Sequence, residues 1–341
     1  MVTTIHDVAR AAGVSTSTVS RALNGSGRIS SRTRQHVAQI AEAMGYQPND
    51  LARSLLAKRS QTIAVLVPDI TNPFFPELVM GIERVAAARG HLVLLCNSAT
   101  EESTWRDLAA LRRRQVDGII LIGARLSADR LAAVTSGIPV VTVDREVPLP
   151  GASVVQSDHR AGGLAAAGHL IELGHRAIAH VAGPSWLTVA QLRRRGYADA
   201  LAIAGLPADE RLVVEGDFLE TGGYAAAHEL IGRGTEFTAI FAANDLMAIG
   251  VLAALEEHGR AVPGEVSVIG FDDIHLASYI RPRLTTVRQD IYRLGTRAAE
   301  ILIDRLDAPG AAAPTQETIT AELVVRESTA PPAAAPRAPH A

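Results

Sequence analysis

Apolar residues in the first fifty positions recur at helical spacing in three short segments. Thr4 and Asp7 are placed as a capping box for the first helix, and Gly13 suits the left-handed backbone that ends it. Ser15 and Ser30 can cap the second and third helices. Two short helices joined by a turn of about 3–4 residues with glycine form a helix-turn-helix, although an ordinary helical hairpin would show the same pattern. The residues predicted to form the inner faces are Ile5, Val8, Ala9, Ala12, Val19, Ala22, Leu23, Val37, Ile40, Ala41 and Met44.

The outer face of the second helix is polar and is suited to reading DNA. The N-terminal residues of such a helix point toward base edges when it docks in the major groove. Arginine can bind guanine through two hydrogen bonds, which contributes about 1–3 kcal/mol of discrimination. Ser15 and Asn24 flank the helix and suit phosphate oxygens, which position a protein without reading sequence. The residues of the outer face are Thr16, Ser17, Ser20 and Arg21.

From Thr62 onward, short apolar runs alternate with longer amphipathic stretches. Continuous apolar strands between helices are typical of parallel sheets covered on both faces. This part of the chain has roughly 270 residues, more than one core usually holds, and we therefore predict two subdomains. The predicted strands include Thr62–Val67, Leu92–Leu95, Gly118–Ile122, Ile138–Val143, Ile178–Val181, Leu212–Glu215, Ala239–Ala242 and Val266–Ile269. The predicted helices include Pro76–Ala88, Ala161–Leu173, Leu192–Ala204, Tyr224–Ile231 and Leu246–His258.

The fold class predicted is an all-α helix-turn-helix domain followed by an α/β body of two parallel-sheet subdomains. Two later elements are too long to be a minor addition to the second half of the body, so we expect them to return to the first half. They are the strand Leu284–Gln289 and the helix Tyr292–Leu306. The predicted bounds are 1–48 for the helix-turn-helix domain, 49–61 for a hinge helix and linker, about 62–157 with 289–321 for the first subdomain, about 158–288 with 322–328 for the second, and 329–341 for a disordered Ala/Pro tail.

Charge is divided unevenly between these parts. Residues 1–60 contain eight Lys or Arg and three Asp or Glu, a net charge of +5, whereas the remainder contains 25 and 33, a net charge of −8. A basic module on an acidic body is the electrostatic pattern of a nucleic-acid reader. The segment Asp50–Ala57 could form two turns of helix, too short to be stable alone in water, so another contact must order it.

Polar and aromatic side chains follow the predicted strands. Ligands of open parallel sheets bind beyond the carboxyl ends of the strands. Carboxylates and amides pair with neighbouring hydroxyls, arginine grips two oxygens, and a ring covers an apolar sugar face, so this chemistry favours a carbohydrate or similar polyhydroxylated effector. Asn244 could instead cap a helix, Phe74 or Phe75 could be core, and Trp186 could be a surface packing residue. The candidate effector-binding residues are Asp69, Asn72, Phe74, Phe75, Asp144, Trp186, Arg193, Phe218, Asn244 and Asp272.

The run from Asp7 to Asn24, with Gly45-Tyr46 and Pro48-Asn49 downstream, resembles the lactose-repressor (LacI/GalR) family of bacterial transcriptional regulators. The similarity extends to about Ser328. It implies a homodimer on a near-palindromic operator, with one recognition helix per half-site, and a body similar to periplasmic sugar-binding proteins. The tail carries no leucine heptad, so we expect a dimer and no tail-built tetramer.

The resemblance also assigns residues of the DNA contact. Leu55, in a hinge helix over Asn49–Leu56, would wedge into the minor groove, and such wedges kink DNA by roughly 20–90°. A leucine that merely packs the linker against the body is the alternative. By position, the bases would be read by Thr16, Ser17 and Arg21. The phosphates would be held by Ser15, Asn24, Ser30 and Thr33. The complete set of DNA-binding candidates is Thr4, Ser15, Thr16, Ser17, Ser20, Arg21, Asn24, Ser30, Thr33, Asn49, Ala52, Arg53 and Leu55.

In the body, the resemblance assigns Arg193, three residues before Gly196-Tyr197, as the arginine that grips the ligand. It assigns Asn244 and Asp272 as an amide and an acid of the pocket, Phe74 and Phe218 as its rings, and Asp144 as a polar group at its mouth. Leu187 and Val189 occupy positions that are polar in some relatives, so the identity of the effector stays open.

Other classes of protein are disfavoured. A phosphate loop and a dinucleotide fingerprint are both missing from the sequence, which predicts no cofactor. The lone Cys96 excludes internal disulfides and fits a reducing cytoplasm. The histidines lack ligand spacing, and no nucleophile–base set is present, so we expect neither a metal site nor an enzyme. With no signal peptide and no run of 18 apolar residues, secretion and membrane insertion are not expected.

The leading interpretation is a repressor released from its operator by a sugar-like effector. The effector would close or reorient the lobes, and the hinge segments would lose their paired helical state. Two alternatives remain open. The match of Ala52–Leu55 to purine-repressor-type members favours an effector that promotes DNA binding, and the two-lobed body alone would also fit a periplasmic-type solute-binding protein.

Overall fold

The computed structural model describes residues 3–23, 28–46, 59–123, 126–144, 149, 151–308, 310 and 313–333. The chain separates into two compact units, Met1–Ser60 and Gln61–Ala341. Within the described residues, no helix is long and apolar enough to cross a membrane.

The first unit is a bundle of three helices. Its helices are α1 (Ile5–Ala12), α2 (Thr16–Leu23) and α3 (Ser31–Ala43). They enclose a core centred on Val8, Val19 and Val37, each of which is 0% exposed. Asp7 Oδ2 accepts hydrogen bonds from the backbone nitrogen of Thr4 at 3.0 Å and from its hydroxyl at 2.6 Å, as the predicted capping position requires. The helix-turn-helix part of the predicted fold class is thus present.

The second unit contains two lobes, each built on one sheet. The strands of the first lobe are β1 (Thr62–Val67), β2 (Leu92–Asn97), β3 (Gly118–Ile122), β4 (Val140–Val143), β5 (Ser153–Ser157) and β11 (Gln316–Ile319). Its helices are α4 (Phe74–Ala88), α5 (Glu101–Arg113), α6 (Ala128–Val134) and α11 (Ile291–Asp307). The sheet order is β11-β5-β4-β3-β1-β2, with every pairing parallel. One face packs on α4 and α11, and the other on α5 and α6, which explains why the strands are apolar throughout.

The second lobe repeats this plan with one change. Its strands are β6 (Ile178–Ala182), β7 (Val213–Glu215), β8 (Ala239–Ala242), β9 (Ser267–Asp272), β10 (Thr285–Arg288) and β12 (Glu322–Val324). Its helices are α7 (His159–Glu172), α8 (Thr188–Ile203), α9 (Glu220–Gly232) and α10 (Asp245–Glu257). The order is β12-β10-β9-β8-β6-β7, and β12 runs antiparallel to β10 while the other pairings are parallel. The prediction of two parallel-sheet subdomains is therefore confirmed except at this edge.

The chain passes between the lobes three times, after β5, after β10 and between β11 and β12. The helix predicted to return to the first half does so, because α11 packs on the first sheet. The strand predicted to return with it does not. Thr285 of β10 pairs with Ile269 of β9 in the second sheet, so the expectation that this strand returns to the first half is wrong, whereas the predicted bound at 288 already places it in the second subdomain.

The start of the tail also differs from its prediction. Thr329 Oγ1 lies 3.0 Å from Nε2 of His169, and the carbonyl oxygen of Ala330 lies 2.9 Å from Nε2 of His175. The backbone nitrogen of Ala330 donates to Ser267 Oγ at 3.0 Å. The sequence predicted disorder from residue 329 because its composition changes there, but backbone groups can be ordered by histidine and serine side chains of the lobe.

Helices α7 and α8 approach each other closely enough to exclude side chains at the contact. A Cβ atom on Gly163 would lie 3.1 Å from the Cα of Arg193, and one on Gly196 would collide with the carbonyl oxygen of Arg160. These two glycines allow backbone to pack on backbone. The contact fixes the position of Arg193 relative to the first turn of α7.

We expect Gly196→Ala to lower the free energy of unfolding by about 1–3 kcal/mol, because the added methyl group must push the two helices apart. Gly168→Ala on α7 is the matched control, since a Cβ atom there meets no described atom within 4 Å. The control should be neutral or stabilising by up to about 1 kcal/mol. Urea denaturation followed by circular dichroism measures both, and equal destabilisation would contradict the close contact.

Candidate functional site

The first unit presents the polar face predicted for α2. Ser17 and Arg21 are exposed, Thr16 and Ser20 are half-buried, and Val19 lies on the opposite, buried side. The outward direction of these side chains leaves them accessible to a partner surface.

Two of the predicted phosphate-binding hydroxyls also cap helices. Ser15 Oγ accepts from the backbone nitrogen of Thr18 at 3.1 Å, and Ser30 Oγ accepts from that of Thr33 at 3.1 Å. Ser15 Oγ also lies 2.8 Å from the hydroxyls of both Ser17 and Thr18, and Ser30 Oγ lies 2.8 Å from that of Thr33, so a phosphate would have to compete with these hydroxyl contacts. Of the remaining predicted DNA-binding residues, those outside the described part of the chain are Asn24, Asn49, Ala52, Arg53 and Leu55.

Arg193 is the centre of the polar cluster in the body. Its side chain is 5% exposed and belongs to α8. The guanidinium donates from Nη1 to the carbonyl oxygen of Ala243 at 2.5 Å, and Nη2 lies 3.3 Å from Asp272 Oδ1. Its Nε donates to Nδ1 of His159 at 3.3 Å, and its Cζ lies 3.9 Å from the ring centre of Phe271. Three of its five N–H groups thus face acceptors among the described residues, and two are left for a ligand.

Asp272 is the last residue of β9 and is 4% exposed. Gln289 Nε2 donates to Asp272 Oδ1 at 2.6 Å. Burial raises the pKa of Asp272 above its ordinary value, against the opposing effects of Arg193 and of this hydrogen bond. The second carboxylate oxygen, Oδ2, accepts no hydrogen bond from the described residues.

Asp144 follows β4 and brings the first lobe to the same cluster. Its Oδ1 accepts from the backbone nitrogen of Ser157 at 2.8 Å and lies 3.0 Å from Nε2 of His159. Burial alone would raise the pKa of Asp144, but His159, the Ser157 hydrogen bond and the charge of Arg193 together hold it below its ordinary value. Asp144 is therefore an ionised acceptor, and its Oδ2 has no partner within the described residues.

The backbone at three predicted site residues is unusual. Asp144, Phe218 and Asp272 have positive φ angles of 50°, 69° and 115°. Non-glycine residues in such regions cost roughly 1–3 kcal/mol each and persist where the surroundings fix them, often at ligand sites.

Other predicted residues of the second lobe have structural partners. Asn244 Oδ1 accepts from the backbone nitrogen of Met247 at 2.9 Å and caps α10, and its Nδ2 donates to the carbonyl oxygen of Phe218 at 3.0 Å. The capping alternative accounts for most of its hydrogen bonds. The Phe218 ring centre lies 5.6 Å from Cζ of Arg193, whereas Trp186 is 50% exposed.

The other predicted residues of the first lobe lie in the turn after β1 and at the start of α4. Asp69 Oδ1 accepts from the backbone nitrogen of Thr71 at 2.9 Å, and Asn72 Oδ1 accepts from that of Phe74 at 3.0 Å. Phe74 and Phe75 meet edge to face with ring centres 5.2 Å apart. Phe74 is only 8% exposed and packs in the core of the first lobe, as the alternative interpretation allowed.

Sequence reasoning missed three members of the cluster. His159, Ser157 and Gln289 lie where the chain crosses between the lobes, and each is 2% exposed. Ser157 Oγ and Gln289 Oε1 are buried without a hydrogen-bond partner in the described structure. The ends of β5 and β10 carried this signal, because Ser157 ends β5, His159 lies two residues beyond it and Gln289 directly follows β10.

The first unit and the body, taken together, define a class: regulators in which a helix-turn-helix precedes a two-lobed ligand-binding body. Residues 4–49 match the family described as bacterial regulatory proteins, lacI family, and residues 167–329 match a periplasmic binding protein-like domain. The transcriptional regulator GalR of Salmonella typhimurium (strain SL1344) is 40% identical over 302 residues, covering 88% of each chain.

Two solved structures extend the likeness to the whole fold. The complex of the transcriptional regulator CelR with cellobiose is 35% identical, with a TM-score of 0.74 over 96% of this chain and 99% of that chain. The Lac repressor dimer bound to operator and the anti-inducer ONPF is 28% identical, with a TM-score of 0.87 over 97% and 100%. The chain belongs to the LacI family of bacterial transcriptional regulators.

We expect Asn244→Ala to lower the free energy of unfolding by about 1–2 kcal/mol, because α10 loses its cap. Asn244→Ser should recover most of this loss, since a serine hydroxyl also accepts from the backbone at this position. Thermal and urea denaturation of both variants measure the difference. If the serine variant were as unstable as the alanine variant, the cap would not be the main contribution of Asn244.

Proposed function

We propose that the protein is a repressor that binds a near-palindromic operator as a homodimer and is released by an uncharged, sugar-like effector. Operator binding assigns it to the cytoplasm, and its relatives are transcriptional regulators, which supports a regulatory and not an enzymatic role. The observation that carries the proposal is the convergence on Arg193 of three acceptors of the second lobe, with Asp144 of the first lobe joined to it through His159 and with ligand-binding capacity left over.

The remaining hydrogen-bond capacity of the cluster matches a polyol. Two N–H groups of Arg193 are left to donate, and Oδ2 of Asp144 and Oδ2 of Asp272 are left to accept. A hydroxyl group both donates and accepts, so neighbouring hydroxyls can satisfy both kinds of atom at once. The cellobiose bound to CelR is a ligand of this kind.

Charge in the cluster favours a neutral effector. The charged groups of the cluster are the carboxylates of Asp144 and Asp272 and the guanidinium of Arg193. Burial lowers the pKa of His159, which is neutral at pH 7, and raises the pKa of the neighbouring Asp245 well above its ordinary value. The group therefore has no net positive charge. A sugar phosphate would place a dianion beside these carboxylates, so we expect free sugars to bind in preference to phosphorylated ones.

The effector could either weaken or strengthen operator binding. Release by the effector is our proposal, and an effector that strengthens operator binding is the alternative. Fluorescence anisotropy of labelled operator, with and without D-ribose, D-galactose or cellobiose, separates them, because anisotropy falls in the first case and rises in the second. If none of these sugars binds, and their phosphates do, the proposed effector class is wrong.

We expect Arg193→Ala and Asp272→Ala to retain operator binding and lose the response to sugar, because each removes a charge-assisted hydrogen bond of about 1.5–3 kcal/mol. Arg194→Ala is the matched control, since the neighbouring arginine is 44% exposed and pairs with Glu210 on the surface. Isothermal titration with the sugar that responds should show at least a tenfold weaker Kd for the first two and no change for the control. Wild-type sugar binding by either alanine variant would contradict the site.

We expect Arg21→Ala to abolish selection of the operator while non-specific DNA binding survives, because Arg21 is exposed on the proposed reading face. Arg10→Ala on α1 is the control, since it removes the same charge from another helix. Competition of labelled operator with unrelated duplex measures the ratio of the two affinities. A uniform weakening on all sequences would mean that Arg21 contacts only phosphate.

A further inference from the structure

One buried histidine lies between the two lobes. His159 opens α7 immediately after the chain leaves β5, and its side chain is 2% exposed. Its Nε2 lies 3.0 Å from Oδ1 of Asp144, which belongs to the first lobe. Its Nδ1 accepts from Nε of Arg193, which belongs to the second lobe, at 3.3 Å. The imidazole therefore touches the acidic and the basic group of the proposed effector site at the same time.

The two contacts fix the tautomer of the ring. Arginine nitrogens can only donate, so Nδ1 of His159 must carry a lone pair and no proton. The proton is then on Nε2, where it is donated to the ionised carboxylate of Asp144. Burial lowers the pKa of His159, although Asp144 raises it in opposition, and the ring is neutral at pH 7.

We propose that His159, as a neutral ring protonated on Nε2, is a positioning residue that holds Arg193 and Asp144 at one fixed separation across the lobes. This inference rests on the proposed effector site. The ring occupies Nε of Arg193, so that only its terminal nitrogens are left for ligand, and it orients the carboxylate that faces them. Removing the ring would leave the guanidinium Nε without its acceptor and Asp144 with only the hydrogen bond from the backbone of Ser157.

Protonation of His159 on Nδ1 would make its contact with Arg193 repulsive. A second proton on Nδ1 would place an N–H donor opposite the N–H of Arg193, and two positive charges would meet in a buried site. The groups facing the ring are Asp144 after β4, Arg193 on α8, Asp158 at the cap of α7 and the apolar ring of Phe271 on β9. Because the pKa of His159 is lowered in this arrangement, the arrangement is fully favoured above the ordinary histidine pKa of about 6.5 and is progressively lost as pH falls below it.

The first experiment uses two variants of the full chain. His159→Gln keeps one acceptor and one donor at similar spacing but cannot titrate, whereas His159→Phe keeps the shape and loses both hydrogen bonds. By isothermal titration with D-ribose, D-galactose and cellobiose at pH 7.5, we expect Kd within about threefold of wild type for the glutamine variant. For the phenylalanine variant we expect at least about tenfold weaker binding, as for a buried polar group left unpaired.

The pH dependence of the Kd for sugar is the second test, because a residue with only a structural role would not change it. From pH 7.5 to 5.5, we expect the Kd of the wild type to rise more steeply than that of His159→Gln. Asp272, whose pKa burial raises, titrates in both proteins, so only the difference between them is assigned to His159. His169→Gln is the matched control, because it lies on the same helix with a pKa also lowered by burial but contacts Thr329, and it should follow the wild-type profile.

The third measurement needs no effector. In protein labelled with ¹⁵N-histidine, the resonances absent from His159→Gln should report a neutral ring with the proton on Nε2 at pH 7. A ring protonated on Nδ1 or on both nitrogens would overturn the inference, as would wild-type sugar affinity in His159→Phe or equal loss in both variants. If no sugar binds the wild type while the spectrum is as expected, the proposed effector class fails and the positioning of Arg193 by His159 stands.

Discussion

The body of this regulator depends on the burial of one cation. The Arg193 side chain is 5% exposed, and removing a guanidinium from water costs several kcal/mol unless acceptors replace the solvent. The protein supplies them from the residue after β8, from the last residue of β9 and from the start of α7, and the guanidinium carbon lies 3.9 Å from the ring centre of Phe271. These elements cannot move independently without leaving the charge uncompensated. Arg193 therefore links the parts of the second lobe that contribute to this polar cluster.

The backbone frame around that cation is equally constrained. Gly163 and Gly196 allow α7 and α8 to touch through their backbones, which sets how far Arg193 reaches toward His159. At the strand ends, Asp144 and Asp272 adopt positive φ angles that direct their carboxylates toward the same cluster. A strained strand end and a close helix contact would each be unfavourable alone. In this structure the hydrogen bonds around Arg193 stabilise both features.

The sequence was sufficient for the fold class, and a positional rule indicated several of the residues that the structure brings together around Arg193. Strand ends indicated Asp144, Arg193 and Asp272, because parallel sheets collect their carboxyl ends at one edge. The same rule overstated Asn244, since a residue that follows a strand also precedes a helix and can cap it. Composition indicated disorder from residue 329, yet Ala330 is held by Ser267 and His175, partners that are far away in sequence. His159 also lies near a strand end, but its contacts with two residues from different lobes are not visible in any local pattern, so the positional rule alone did not single it out.

A ligand can shift the arrangement of two lobes only by as much as it binds one arrangement better than another. In the described structure, two polar atoms that a ligand could satisfy in one arrangement only lie where the chain crosses between the lobes. Ser157 Oγ and Gln289 Oε1 are buried there without partners, and an unsatisfied buried polar atom costs about 1–3 kcal/mol. A ligand hydroxyl that reached either atom would remove that cost in this arrangement alone. The crossings are thus the places where binding energy in the body can be converted into a preference for one arrangement of the lobes.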